Sequence, residues 1–64
     1  MKATIIINMN NAAFEDNGHG EELAGIVGKL ESEIIANGNL YPGLTYSLKD
    51  SNGNTVGTLK ITRD

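Results

Sequence analysis

The sequence predicts an α+β fold: a single β-α-β-β domain over residues 1–64, with one helix on one face of a three-stranded antiparallel sheet of order 1-3-2. Three observations predict it. Leu44 to Arg63 holds two runs of alternating apolar and polar residues around Asn52-Gly53, the strongest short-range hairpin signal. Glu21 to Ala36 repeats apolar residues at helical spacing. Lys2 to Asn8 is a β-branched alternating run.

The first strand spans Lys2 to Asn8. Ala3, Ile5 and Ile7 share one face, with Met9 as an extension, and Lys2, Thr4, Ile6 and Asn8 share the other. Asn10 to Gly20 is rich in Asn, Asp and Gly and reads as a loop. Within it Phe14, the single phenylalanine, is expected to plug the end of the core.

The helix is expected from Glu21 to Ala36. Two acids in its first turn suit the positive end of the macrodipole. Asn37-Gly38 supplies a left-handed stop, with Pro42 beyond it. Leu23, Ile26, Val27, Leu30 and Ile34 form an apolar stripe to cover the sheet. Gly25 and Gly28 each cost roughly 1 kcal/mol relative to alanine. Either they let the helix approach a neighbouring loop, or the flanking strip of Ala24, Gly28 and Ile35 is a small-residue groove for a partner.

The hairpin closes the domain. With Asn52 and Gly53 at the centre of a primed two-residue turn, Leu44 pairs with Ile61, Tyr46 with Leu59 and Leu48 with Gly57 on the inner face. Thr45 with Lys60, Ser47 with Thr58 and Lys49 with Val56 fall on the outer face. A slip of one residue would mix the faces, so the register is well specified. The helix brings the chain back parallel to the first strand, so strand 3 in the middle makes every ladder antiparallel. The outer face has no covering element and shows Thr4, Ile6, Thr45, Ser47, Val56, Thr58 and Lys60, among others.

Composition bounds the function. The 64 residues make one domain, and a chain this short buries only about 60% of its unfolded surface. Without cysteine there are no disulfides or thiolate metal sites. The apolar run near the N-terminus is too short for a membrane span. The net charge of −3 is unevenly spread. Glu15, Asp16, Glu21, Glu22, Glu31 and Glu33 crowd the middle segment against Lys29 alone, while Lys2, Lys49, Lys60 and Arg63 lie on the strands. The expected molecule has an acidic helical side and a mildly basic sheet side.

Chemical motifs are scarce. Asp50-Ser51-Asn52-Gly53-Asn54 opens like a calcium loop, but Thr55 stands where glycine is needed and Ile61 where a bidentate glutamate is needed. Gly18-His19-Gly20 precedes the helix, yet the acids around it would repel a phosphate. His19 is the only histidine. No catalytic residue, metal or cofactor is therefore expected, and the chain reads as a non-enzyme. Sheet-based RNA binders stack bases on aromatic residues. None is expected on the outer face: Tyr46 points inward and Tyr41 lies in a loop.

Three stretches resemble a set of small phage- and prophage-encoded accessory proteins: Asn11-Ala12-Ala13-Phe14 with Glu15-Asp16, the helix through Leu23, Ile26, Val27 and Leu30, and the hairpin Asp50-Ser51-Asn52-Gly53-Asn54-Thr55-Val56-Gly57. The family helix is often basic, whereas this chain has Ala24-Gly25-Ile26-Val27. The resemblance implies a phage accessory protein acting in the host cytoplasm and implies no chemical activity. The leading expectation is a non-catalytic interaction module that binds and inhibits a host defence or regulatory protein. Its expected partner-binding residues are Glu15, Asp16, Glu21, Glu22, Ala24, Gly28, Glu31 and Ile35. The alternative is a nucleic-acid-binding module using the open sheet face through Lys49 and Lys60. A homodimer is also expected, through the helix strip or an exposed strand edge.

Overall fold

A computed structural model describes all 64 residues. The elements are β1 (Lys2–Ile7), α1 (Ala12–Asn17), α2 (His19–Asn37), β2 (Thr45–Lys49) and β3 (Thr55–Thr62). The sheet has the order β1-β3-β2, and both ladders are antiparallel.

Register follows the alternation of side chains. Ile5 pairs with Leu59, which pairs on its other side with Tyr46. Thr4 pairs with Lys60, and Lys60 with Thr45. The first set faces the helices and the second faces solvent. The expected pairs hold from Thr45 to Leu48, and Leu44 continues them by accepting the Ile61 N–H at 2.9 Å.

The turn differs from the expected two-residue form. Lys49 pairs with Thr55, so the register shifts by one beyond Leu48. The Gly53 N–H donates to the Asp50 carbonyl at 3.0 Å, and the Asp50 N–H to the Asn54 carbonyl at 2.9 Å. Only Gly53 has positive φ, at 85°, and Asn52 does not. The Asp50 carboxylate explains the change, because its Oδ1 accepts the N–H groups of both Asn52 and Asn54. An Asx turn of this kind competes with the primed hairpin turn. The irregularity falls beside Val56, which was expected on the outer face but belongs to the core.

The segment expected to be a loop contains α1. Asn11 leads into it with extended geometry, and the Phe14 N–H closes the first turn on the Asn11 carbonyl at 3.0 Å. Two alanines favour helix, and burial of Ala13 and Phe14 fixes it. The chain breaks at Gly18 and resumes as α2, two residues earlier than expected. The expected stop holds: the Gly38 N–H donates to the Ile34 carbonyl at 3.1 Å.

Phe14, Ile26, Leu30, Leu48, Val56, Leu59 and Ile61 form the buried core, and Phe14 is fully enclosed. Leu23, Ile34, Leu44 and Tyr46 pack around it half-buried. Three members of the expected inner set fall outside: Ala3 is exposed, Val27 is 48% exposed and Ile5 is 50% exposed. The core is thus centred on β2 and β3, and the β1 side of the helical face is left incompletely covered.

One glycine is required by close approach. A Cβ at Gly57 would collide with the backbone carbonyl of Ile6 in β1. By contrast, a Cβ at Gly25 or Gly28 would meet nothing within 4 Å. Packing within the chain therefore does not account for the two helix glycines.

Candidate protein-interaction site

The expected partner-binding residues fall into three groups. Glu15, Asp16 and Glu21 are exposed around the α1–α2 junction. Five acids, Glu15, Asp16, Glu21, Glu31 and Glu33, face solvent from the two helices against the single lysine Lys29. His19 lies 3.8 Å from Glu15 across the break at Gly18, and both side chains are more than half exposed, a geometry that contributes little to stability. The acidic helical side is therefore present as a solvated surface.

The second group lies along one flank of α2. Ile5, Val27, Leu30, Glu31, Ile34 and Ile35 line a groove of about 240 Å³ between β1 and the helix. Ile35 is 72% exposed. Ala24 and Gly28 continue the line of Glu31 and Ile35 at helical spacing, and both are exposed. The opposite flank is more polar: Lys29, Glu33, Ser47 and Lys49 join Ile26, Leu30 and Leu48 around a cleft of about 380 Å³ beside β2.

Glu22 stands apart and corrects the expectation for it. It is buried rather than part of the acidic surface. Its carboxylate accepts the Ser51 N–H at 2.7 Å, the Ser51 hydroxyl at 3.0 Å and the Asn17 amide at 3.0 Å. The Ser51 N–H, and after it the Asn17 amide, hold the Glu22 pKa below its ordinary value, against burial and the charge of nearby Asp50. Asp50 is buried beside it. Burial pushes its carboxyl up, but the Asn54 N–H, the Asn11 amide at 3.2 Å and the Asn52 N–H more than offset this, and its pKa is lowered. The two carboxylates fasten the hairpin tip to both helices. Sequence reasoning missed this, because nothing local to Glu22 marks Ser51, 29 residues on, as its partner.

The open sheet face carries Lys2, Thr4, Ile6, Thr45, Ser47, Lys49, Thr58, Lys60 and Thr62, with Ile6 exposed at 66%. Tyr46 lies on the other face, packed against the core, and Tyr41 precedes the sheet in a turn. No aromatic side chain stands on the face where bases would stack.

The chain matches no protein-family model, no curated protein and no solved structure.

Proposed function

We propose that the chain is a non-catalytic interaction module that binds a host protein through the acidic surface of its helical layer, as a phage accessory protein would. The observation that carries this reading is the acidic α1–α2 junction of Glu15, Asp16 and Glu21, with Glu31 and Glu33 further along opposite flanks of α2. Glu15, Asp16, Glu21, Glu31 and Glu33 are all exposed on α1 and α2, while the lysines of the strands lie on the sheet. Such an arrangement steers association with a basic surface and fixes orientation. The rigid attachment of the hairpin to the helices through Glu22 and Asp50 keeps the acidic junction pre-organised, which limits the ordering cost of binding. The phage setting and the host cytoplasm rest on the resemblance of Asn11–Phe14 and Asp50–Gly57 alone.

A pull-down from bacterial lysate tests the reading, comparing the native chain with a Glu15→Lys, Asp16→Lys, Glu21→Lys variant. A host protein retained by the first and lost by the second supports it. Retention of nucleic acid in place of protein, or equal retention by both chains, counts against it.

A further inference from the structure

We infer that β1 is the seam of a two-fold homodimer, in which the second copy's β1 extends the sheet and covers the groove between β1 and α2. The inference rests on the two edges of the sheet being built differently. β1 holds straight register with β3 from Lys2 to Ile7, without bulge or proline, and its one charge stands at its start. The β2 edge runs beside a cleft that carries Lys29, Glu33 and Lys49, and the register shift near its end leaves the extra residue, Val56, on β3. Charged side chains guard a sheet edge; each edge strand carries one terminal lysine, but β2 has a charged cleft beside it, while β1 has the groove lined by Val27, Ile34 and Ile35.

The backbone of β1 selects the register. The Asn8 N–H donates to the Val56 carbonyl at 2.8 Å. Hydrogen bonding alternates along an antiparallel strand, so Lys2, Thr4 and Ile6 turn inward to β3, and Ala3, Ile5 and Ile7 turn their N–H and C=O groups outward. A dyad through Ile5 sets Ile5 against Ile5 of the second copy, and Ala3 against Ile7. Each outward group then has a partner. On the helix face these contacts are all apolar, and the exposed half of Ile5 becomes covered beside Val27 and Ile35. On the open face Thr4 meets Ile6, and Lys2 meets Asn8. No like charges oppose each other across the seam.

The areas agree with an association of modest strength. The chain exposes 4266 Å², against roughly 3950 Å² expected from its 6.8 kDa mass. A strand of six residues is about 20 Å long at the usual rise. With sheet and helix layers stacked to a similar height, the seam covers roughly 400–500 Å² per copy, or about 800–1,000 Å² in total, below the range of stable interfaces and in that of weak, transient association. The dimer is therefore concentration-dependent, and α2 of each copy lines the groove at its margin.

Sedimentation equilibrium of the purified chain tests the inference. The mass should rise from 6.8 kDa toward twice that value between about 10 µM and about 1 mM. Ile5→Lys places like charges on the dyad and should raise the dissociation constant about tenfold or more. Mixing Ile5→Lys with Ile5→Glu should restore a dimer, because the dyad sets these two positions against each other. If Ile5→Lys proves unfolded by circular dichroism, Ile35→Glu on the exposed helix flank takes its place and should weaken the dimer. A constant 6.8 kDa mass across the range, or a dimer undiminished by the folded variant, overturns the inference. These measurements use the chain alone, so their failure leaves the partner-binding reading untouched, and the reverse also holds.

Discussion

Replacing Phe14 with alanine removes the side chain that seals one end of the core. Phe14 is fully buried from a helix of six residues, and nothing else in α1 except Ala13 is buried. Phe→Ala substitutions in well-packed cores cost about 3–5 kcal/mol. A domain of 64 residues has a total stability of roughly 3–10 kcal/mol at 0.05–0.15 kcal/mol per residue. The loss therefore takes a third or more of the total and can exceed all of it. Urea denaturation followed by far-ultraviolet circular dichroism measures it, with a slope near 1 kcal/mol per molar for so small a chain. The midpoint should fall by about 3 M or more, or the variant should be unfolded in buffer. Phe14→Leu should retain most of the stability, because it keeps much of the volume. A Phe14→Ala loss below about 1 kcal/mol would refute the reasoning, since α1 would then contribute nothing to closing the core.

Three further outcomes follow from particular contacts. Gly57→Ala should destabilise the chain by several kcal/mol in the same urea assay, on the order of other backbone-strain substitutions, because its Cβ meets the Ile6 carbonyl; a neutral result would mean that β1 can move away freely. Gly25→Ala should raise stability by up to about 1 kcal/mol, since open space surrounds the new methyl group. Acid should loosen the hairpin tip. The Glu22 and Asp50 pKa values are lowered in the folded chain from ordinary values of 4.5 and 3.8, so their stabilisation is present above those values and is lost as pH falls below them. Amide exchange at Ser51, Asn52 and Asn54 should quicken in that window, and Glu22→Gln should remove the Glu22 part of the pH dependence.

The fold was legible because its signals are local and periodic. Alternation in Leu44–Lys49 and Thr55–Thr62 specifies which side chains share a face, and that is enough to fix the pairs from Thr45 to Leu48. The turn type is not legible, because the Asp50 side chain captures two backbone N–H groups, an alternative that Asn-Gly spacing does not reveal. α1 was hidden because its helix depends on burying Ala13 and Phe14, and six residues carry too little propensity alone. The acidic surface was legible from charge, with the exception of Glu22, whose partners lie on a distant hairpin. The exposure of Val27 was not legible. Helical periodicity places it on the apolar stripe, and only the placement of α2 away from β1 leaves it facing the groove.

The most direct test of the account is amide chemical-shift mapping of the isotopically labelled chain with the captured host protein added in steps. Shifts confined to Glu15, Asp16, Glu21 and their neighbours on α1 and α2, with Thr4, Thr45, Thr58 and Lys60 unmoved, are the predicted result. Shifts centred on Thr45, Thr58 and Lys60 would contradict it, because binding would then use the basic sheet face and leave the acidic helices unengaged.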